Sequence, residues 1–324
     1  MKTTRVMIHS QGDPEVMVLE EAELEAPGAG EVQIEQTAIG LNYMDIYQRS
    51  GAYSVALPCT LGLEAAGNVI ALGEGVSGFS IGDRVAYGPV LGAYASHRNV
   101  PAARLVHIPD GISDETAAAV IMKGTTVEYL LERTHKVSAG ESVLFWAASG
   151  GVGQLAGQWG KHLGARMIGV TSGPENCAAI LELGYAEAID RNSEDVGERV
   201  RQLTDGKGVP VVYDSIGAAS FDASIKSLAR YGLLVSFGST TGEAPPVPPS
   251  LLQYNGSLYF TRPTLADYIA ERADLEHSTS EVFRLVREGV LTVNINQRLA
   301  LSDIAEAHHA LEAGTNTGST ILVP

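Results

Sequence analysis

Apolar and polar residues alternate in short segments through the first third of the chain, with glycine and proline between the segments. Such alternation over about four to eight residues predicts half-buried β-strands. Turn signals such as Ala26-Pro27-Gly28 and Gly73-Glu74-Gly75 separate the segments. We therefore expect a compact, mostly β domain with strands at residues 15–19, 31–39, 67–72, 84–87 and 104–107.

The pattern changes near residue 126, where amphipathic helical segments begin to alternate with short apolar ones as far as residue 261. This texture is typical of βαβ units with a parallel sheet. It predicts an α/β domain with a Rossmann-type, doubly wound parallel sheet. The predicted strands are 143–147, 166–170, 188–190, 209–213, 233–237 and 258–261, and the predicted helices are 153–163, 174–183, 195–204 and 220–228.

The last sixty or so residues do not extend this sheet. A helical pattern up to Gly289 is followed by a strand-like segment at 291–295, a helix at 303–312 and a terminal strand at 319–323. Because the α/β sheet is already complete, we expect the terminal strand to join the N-terminal β domain. The predicted domains are therefore residues 1–125 with 262–324, which is discontinuous, and residues 126–261.

Composition narrows the class of protein. With 45% hydrophobic and 19% charged residues the chain can bury large cores, and its net charge of −16 argues against a nucleic-acid partner. No apolar run approaches the ~20 residues of a membrane span, and the N-terminus lacks a signal peptide. The two cysteines, Cys59 and Cys177, cannot form a disulfide framework. We expect a reduced, cytoplasmic protein without membrane partners.

The strongest local motif runs from Gly151 to Ala156. It reads Gly151-Val152-Gly153-Gln154-Leu155-Ala156 and lies between a predicted strand and a predicted helix. In this context GxGxxA is the fingerprint of dinucleotide binding, since its glycines admit a tight turn and a close pyrophosphate. The helix N-terminus offers unpaired amides to the same anion.

The residues after the second predicted strand bear on the type of cofactor. NAD-binding sites place an acidic residue there, about 20 residues beyond the first glycine, where it binds the ribose 2′-hydroxyl. This chain has Thr171-Ser172-Gly173 instead. The absence of a carboxylate favours NADP, and Arg191 is the nearest candidate cation for a 2′-phosphate, although a solvated loop arginine is an equally good interpretation.

Several motifs in order give the chain a resemblance to a known family. They include Gly40-Leu-Asn-Tyr-Met-Asp-Ile-Tyr-Gln-Arg-Ser-Gly51, Leu61-Gly-Leu-Glu-Ala-Ala-Gly67, Val212-Tyr-Asp-Ser-Ile-Gly217 and Tyr259-Phe-Thr-Arg-Pro263. Over essentially its whole length the chain resembles the medium-chain dehydrogenase/reductase superfamily, and within it the zinc-free, zeta-crystallin-like quinone oxidoreductases, above all the bacterial NADPH-dependent ones. The resemblance implies that the N-terminal β domain is a GroES-like catalytic domain.

The resemblance also implies chemistry without zinc. The positions that carry a cysteine and a His-Glu pair in zinc-dependent relatives are Asn42 and Leu63-Glu64 here. We expect no metal, a structural role for Glu64, and surface positions for the adjacent His308 and His309. Without a Lewis acid, the substrate should already be electrophilic, as a quinone or a conjugated enone is.

By resemblance, the substrate and the nicotinamide ring lie near specific residues of both domains. The implied catalytic residues are Asn42, Asp45, Tyr47 and Tyr53, with substrate bound in a cleft between the domains. The implied cofactor-binding residues are Asn42, Tyr47, Lys123, Thr126, Gly150, Gly151, Val152, Thr171, Ser172, Asn176, Arg191, Ile216, Phe237, Gly238, Ser239, Phe260, Thr261 and Arg262.

Three departures bear on the expected preference for NADPH. Relatives usually have a lysine at the position of Asn176, a tyrosine at that of Arg191 and an arginine at that of Gly314. Two cations are therefore lost and one is gained, so we expect NADPH to bind more tightly while NADH remains usable.

Two other functions stay open at this stage. One is an NADPH-dependent 2-alkenal or enone reductase with the same cofactor site. The other is a non-enzymatic crystallin-like or RNA-binding protein on the same fold, which the acidic composition and the retained glycine-rich turn disfavour. The resemblance further implies a homodimer.

Overall fold

The computed structural model describes residues 1–314 and 317–324, which divide into two compact units. The first unit comprises Met1–Thr125, Ile269–Gly289 and Val293–Pro324, and the second comprises Thr126–Tyr268 and Val290–Thr292. The rings of Tyr268 and Tyr129 stack at 4.4 Å, a contact that joins Tyr268 to the second unit.

The elements follow the chain in a β-rich, then α/β, then mixed order. The strands are β1 (Lys2–Ile8), β2 (Met17–Glu23), β3 (Glu31–Gly40), β4 (Cys59–Thr60), β5 (Glu64–Leu72), β6 (Arg84–Tyr87), β7 (His97–Pro101), β8 (Leu105–His107), β9 (Ser142–Trp146), β10 (Arg166–Thr171), β11 (Glu187–Asp190), β12 (Val209–Asp214), β13 (Leu228–Ser236), β14 (Tyr259–Thr261), β15 (Ile295–Ala300) and β16 (Ser319–Val323). The helices are α1 (Tyr43–Ser50), α2 (Asp114–Glu128), α3 (Gly151–His162), α4 (Pro174–Glu182), α5 (Val196–Leu203), α6 (Phe221–Ser227), α7 (Pro249–Tyr254), α8 (Leu265–Tyr268), α9 (Arg272–Arg287) and α10 (Ile304–Glu312).

The first unit contains two sheets. One has the order β2-β1-β4, and the other has the order β15-β16-β3-β5-β6-β8 with β7 also paired to β3. The terminal strand β16 pairs antiparallel with β3, which confirms that the end of the chain returns to the N-terminal β domain. Alternate side chains of these strands point inward and form an apolar core that includes Ile34, Val69, Tyr87 and Leu322.

The second unit is built on one parallel sheet with the order β11-β10-β9-β12-β13-β14. This is the doubly wound arrangement that the alternating pattern predicts. The strands read as nearly continuous apolar runs, such as Ser142–Trp146, because a parallel sheet is covered on both faces. All six strands therefore end at the same edge of the sheet, which positions the loops that follow them.

The sequence pattern misplaces two elements near the C-terminus. The strand expected at 291–295 is wrong: β15 begins at Ile295, and Leu291 is a buried residue in the preceding loop. The helical pattern that extends to Gly289 is interrupted, and the long helix starts only at Arg272, nine residues after Pro263. Burial alone makes an apolar loop residue resemble part of a strand.

Candidate functional site

The glycine-rich turn predicted to bind phosphate joins β9 to α3. Gly150 caps the helix in an extended conformation, and the helix begins at Gly151. A Cβ atom on Gly153 would lie 2.4 Å from the carbonyl oxygen of Ala147 and 2.6 Å from Ala148 Cα, so a larger residue does not fit. The amides of the first helical turn have no acceptor within the helix and carry the positive end of its dipole. The turn is therefore suited to an anion such as a pyrophosphate.

The other cofactor-binding residues predicted in the second unit lie mostly at the carboxyl edge of its sheet, because each completes or follows a parallel strand. Thr126 is the exception and lies on α2. The structure places Val152 after β9, Thr171 and Ser172 at the end of β10, Asn176 in the first turn of α4, Arg191 after β11, Ile216 after β12, Phe237, Gly238 and Ser239 after β13, and Phe260, Thr261 and Arg262 at the end of β14.

The end of β10 is held by its own hydrogen bonds. The hydroxyl groups of Ser149 and Thr171 lie 2.7 Å apart, which links the glycine-rich turn to the neighbouring strand. Asn176 Nδ2 donates to the carbonyl oxygen of Ser172 at 2.9 Å. The side chain of Asn176 therefore stabilises the loop around the position where a ribose is expected.

A carboxylate does occur close to this loop, at the end of β11. Asp190 Oδ1 accepts hydrogen bonds from the amides of Gly173 at 2.9 Å and Asn192 at 3.0 Å. These bonds, the one from Gly173 first, lower the pKa of Asp190 below its ordinary value. The Asp190 carboxylate binds groups of its own loops, so it holds the turn that positions Arg191.

Two cavities open at this edge of the sheet. The larger, of about 240 Å³, is lined by Trp146, Arg191, Ile216 and Lys226, together with Glu194 and Asp195. Trp146 is 4% exposed, and its indole nitrogen is buried without a hydrogen-bond partner among the described residues. The smaller cavity, of about 170 Å³, is lined by residues that include Gly238, Ser239, Phe260 and Arg262.

These features fit a dinucleotide. An unpartnered buried N–H donor such as that of Trp146 is costly to leave unsatisfied, so its place in a cavity wall indicates a ligand that accepts a hydrogen bond. Arg262 Nη1 donates to the carbonyl oxygen of Ser236 at 2.8 Å, which holds its side chain at the smaller cavity. Each individual contact with a cofactor stays a prediction.

In the first unit, the residues predicted around the nicotinamide and the substrate form a buried hydrogen-bonded cluster. Glu64 is fully buried, and its Oε1 accepts from Asn42 Nδ2 at 2.7 Å and from Lys123 Nζ at 2.9 Å. Its Oε2 accepts from the amide of Met122 at 2.9 Å. A Cβ atom on Gly40 would lie 2.3 Å from Glu64 Oε1, so the glycine leaves the space that this carboxylate occupies.

Glu64 therefore belongs to the candidate site, although the sequence did not predict it as a site residue. The sequence indicates only a structural role for it, whereas the structure joins it directly to Asn42 and Lys123. No local signal could have shown this, because Glu64 and Lys123 are 59 residues apart and the burial that makes a lysine need a counterion is a property of the fold.

A second buried carboxylate lies at the start of α1. Asp45 Oδ2 accepts hydrogen bonds from the backbone amide of Asn42 at 2.9 Å and from the hydroxyl of Tyr94 at 2.8 Å. Burial is the main cause that raises the pKa of Asp45 from 3.8 to about 7. A group with this pKa exchanges its proton near neutral pH, which suits acid–base chemistry.

Tyr47 and Tyr53 lie together. Their ring centroids are 5.0 Å apart, and Tyr43 approaches Tyr47 edge-on at 5.4 Å. Tyr47 is only 8% exposed. Burial raises the pKa of Tyr43 above its ordinary value, so this hydroxyl keeps its proton. The three rings form an apolar surface with polar hydroxyl groups, as a quinone site requires.

One prediction about histidine is wrong. The sequence predicts His308 on the surface, but it is fully buried and lies within hydrogen-bond distance of Tyr94 and Arg49. His309, its neighbour on α10, is exposed and bonds Glu15 at 2.7 Å. Adjacent helical residues point about 100° apart, so one side chain can face the core while the next faces water.

The donor set expected for zinc does not fit that metal. Leu63 offers no ligand atom, and the side chains of Asn42 and Glu64 are already bonded to each other. Within residues 1–314 and 317–324, no group of three or more histidine, cysteine, aspartate or glutamate side chains could hold a metal ion. In that part of the chain, no helix is long and apolar enough to cross a membrane.

Comparison with known proteins identifies the family. Residues 28–110 match the alcohol dehydrogenase GroES-like domain, and residues 151–282 match the family described as zinc-binding dehydrogenase. A quinone oxidoreductase from Pseudomonas aeruginosa is 46% identical over 99% of both chains. The chain belongs to the quinone oxidoreductase family.

Solved structures agree with this assignment to the quinone oxidoreductases of the medium-chain dehydrogenase/reductase superfamily. The structure of Escherichia coli quinone oxidoreductase in complex with NADPH superposes with a TM-score of 0.97 at 42% identity, covering 99% of this chain and all of the other. A further relative, a 2-haloacrylate reductase from Burkholderia, is 37% identical over 98% of both chains.

Proposed function

We propose that this quinone oxidoreductase family member is an enzyme that reduces quinones with NADPH and uses no zinc. The observation that carries the proposal is the carboxyl edge of the second unit's sheet. There a turn with no room for a Cβ atom at position 153, the first-turn amides of α3 and two cavities fit the binding of a dinucleotide. The quinone oxidoreductase relatives, and the Escherichia coli structure with NADPH, support the choice of cofactor and substrate.

The protein's own groups would bind and orient the reactants. When bound, NADPH supplies a hydride. The first-turn amides of α3 would hold the pyrophosphate, and Arg262 and Ser239 would hold the nicotinamide half. In the first unit, Glu64 compensates the charge of Lys123. It also accepts a hydrogen bond from Asn42 Nδ2, which fixes the orientation of the Asn42 side-chain amide. The rings of Tyr47 and Tyr53 would stack against a quinone and exclude water.

Selectivity for NADPH over NADH is assigned to Arg191. It lines the larger cavity together with Lys226, so two cations face the space beside the ribose loop. The acidic residues of the same wall are engaged, since Asp195 caps α5 by accepting from the amide of Glu198. We expect NADPH to bind more tightly, with NADH still accepted.

The direct test is oxidation of NADPH in the presence of 1,4-benzoquinone. We expect oxidation to be stimulated by the quinone, and to be lost in the variant Gly153→Val, whose side chain would collide with Ala147 and Ala148. Gly28→Ala serves as a control because its φ angle is an ordinary one and its Cβ atom would meet only the flexible end of the Glu31 side chain, at 3.1 Å. No stimulation by a panel of quinones would refute the proposal.

A second candidate substrate class is the conjugated enone or 2-alkenal. The 2-haloacrylate reductase relative favours it, since a haloacrylate carries a double bond conjugated to a carboxylate. The same assay with enones in place of quinones separates the two. Robust turnover of enones with none of quinones would make the enone reductase the correct function.

We further propose a homodimer formed through β14. This strand lies at the edge of its sheet, with β13 on one side, and an open edge is a template for pairing with a second chain. Exposed tyrosines surround the edge: Tyr231 is 65%, Tyr254 82% and Tyr259 62% exposed. Light scattering at micromolar concentration should give the mass of a dimer, and a monomer would refute this.

Two remaining proposals concern domains and location. We propose residues 1–125 with 262–324 as the catalytic domain and 126–261 as the cofactor domain, testable by expressing 126–261 and titrating it with NADPH. We also propose a cytoplasmic location. Cys59 and Cys177 are free, and burial raises the pKa of each thiol, which keeps it protonated. Cell fractionation that placed the protein elsewhere would contradict this.

A further inference from the structure

A chain of buried hydrogen bonds ends at Asp45, the carboxylate at the start of α1. Asp45 is fully buried, and both donors that reach it, the Asn42 amide and the Tyr94 hydroxyl, bond the same oxygen, Oδ2. Oδ1 is also buried and has no hydrogen-bond partner among the residues that the structure describes. A buried oxygen without a partner is costly, and in a candidate site it requires an explanation.

Arg49 determines the direction in which each hydrogen bond of this series is donated. Its guanidinium can only donate, and Nη1 lies 3.3 Å from Nδ1 of the buried His308, so Nδ1 must accept. The proton of neutral His308 is then on Nε2, which lies 3.1 Å from the Tyr94 oxygen and donates to it. The hydroxyl proton of Tyr94 is thereby left to point at Asp45 Oδ2.

At the other end of this series of hydrogen bonds, Arg49 is held firmly in place. Arg49 is 2% exposed, and it donates to Glu312 Oε2 at 3.1 Å and to the carbonyl oxygen of Gly12 at 3.1 Å. Glu312 reaches the surface with 32% of its side chain exposed. Burial and the nearby Arg49 lower the pKa of His308 to about 3, so the imidazole stays neutral and keeps its role as a donor.

An added proton on Asp45 can therefore reside on one atom only. Oδ2 already accepts two donors, and neither can reverse, since one is a backbone amide and the other is held by His308. The charged and titratable groups that act on Asp45 itself are Tyr94, Glu64 of β5 and Lys123 of α2. Arg49 of α1 and His308 and Glu312 of α10 are joined to it through the series of hydrogen bonds. Among the groups that act on Asp45, Glu64 raises its pKa and Lys123 lowers it.

We propose that Asp45 is the internal proton donor of the reductase, and that Tyr94 and His308 are positioning residues that place its exchangeable proton on Oδ1. This inference rests on the proposed function. Hydride transfer gives the quinone two electrons and one hydrogen, and leaves an anionic oxygen. The bond between that oxygen and the Oδ1 proton forms as the Oδ1–H bond breaks, and the Asp45 carboxylate regains a proton from water before the next turnover.

A helix cap alone does not require this arrangement. Asp45 is the third residue of α1 and caps the helix through Oδ2, which an aspartate can do at an exposed helix start. That role needs neither burial of Oδ1 nor three donors aligned in one direction. The structure combines the buried Oδ1 and the aligned donors at Asp45, whose pKa of about 7 lets its proton leave and return under physiological conditions.

The first test compares the pH profile of quinone reduction in two variants. Protonated Asp45 is the active form, so kcat should fall as the pH rises through an inflection near 7. Tyr94→Phe removes a donor to the ionised carboxylate and should move the inflection up by roughly one to two pH units. Tyr87→Phe is the matched control, because Tyr87 is equally buried but bonds Gln36 and Arg98, and its profile should stay in place.

Two more variants separate positioning from packing. Asp45→Asn should lower kcat about 100-fold and abolish the inflection. His308→Gln should preserve the wild-type profile, because its amide can accept from Arg49 and donate to Tyr94 in the same direction. His308→Leu cannot, and should shift the profile although it is similar in size. Equal profiles for His308→Gln and His308→Leu would overturn the positioning role.

A spectroscopic test does not depend on turnover. The full-length protein with ¹³C-labelled aspartate carboxyl groups should show one NMR signal that titrates near pH 7, is absent in Asp45→Asn and moves upward in Tyr94→Phe. Titration of that signal in the ordinary acidic range would overturn the inference. If the signal behaves as expected but no quinone is reduced, the proton site stands and the proposed function fails.

Discussion

The buried pair of Lys123 and Glu64 gives a prediction that can be worked out from the structure. Nζ of Lys123 lies 2.9 Å from Glu64 Oε1, and the two side chains are 8% and 0% exposed. Lys123→Met would leave the carboxylate with only the Asn42 and Met122 donors, and Glu64→Gln would leave a buried ammonium. Each change should lower the free energy of unfolding by about 3–5 kcal/mol, because an unpaired buried charge is more costly than a missing pair.

The double variant decides whether this reasoning holds. With both changes neither of these two side chains is charged and their volumes are similar, so the loss of stability should be smaller than the sum of the single losses by at least about 2 kcal/mol. Urea denaturation followed by circular dichroism measures all three variants. Losses that add to within about 0.5 kcal/mol would refute the coupling.

An exposed ion pair supplies the control. Arg298 and Glu115 bond at 2.8 Å in the same unit, but their side chains are 52% and 36% exposed. Arg298→Met should therefore cost less than about 1 kcal/mol. A loss as large as that of Lys123→Met would show that burial is not what makes the Glu64 pair important.

Three further predictions concern the cofactor and pH. Gly153→Ala should weaken NADPH binding at least tenfold in a fluorescence titration, because its Cβ would lie 2.4 Å from the Ala147 oxygen; unchanged affinity would show that the turn can relax. Arg191→Ala should reduce the ratio of kcat/KM for NADPH to that for NADH, and an unchanged ratio would contradict its role. Folding raises the pKa of Asp45 from 3.8 to about 7. The protonated Asp45 therefore contributes its full share to the free energy of unfolding below pH 3.8, and this share is lost as the pH rises to 7. Replacing Asp45 by Asn should remove that loss, worth roughly 4 kcal/mol, from the pH dependence of the unfolding free energy.

The second unit is the part of the fold that sequence pattern predicts best. Its buried parallel strands are apolar throughout and its helices lie between them, so both element type and order can be inferred from residues 142–261. In the first unit, α1 and β1 are not predicted. The helix is only eight residues long, and its polar side chains at Asp45 and Arg49 face inward, contrary to an ordinary amphipathic pattern.

The sequence by itself determined the glycine-rich turn and the strands on either side of it, because these features depend on neighbouring residues. A tight turn, a helix start and a strand end are set within about ten positions, and Gly153 can be interpreted without knowing what lies far away. The order of strands then brings the predicted cofactor residues of the second unit, apart from Thr126, to one edge of its sheet.

Only the tertiary structure decided how the buried charges are paired. Glu64 and Lys123 are 59 residues apart, and Tyr94 and His308 are 214 apart, so no local pattern joins them. His308 lies on the buried face of α10, four residues after Ile304, and Arg49 and Tyr94 supply the hydrogen bonds that its burial requires. A polar side chain enters a core only where the fold supplies its partners, and those partners come from distant parts of the chain.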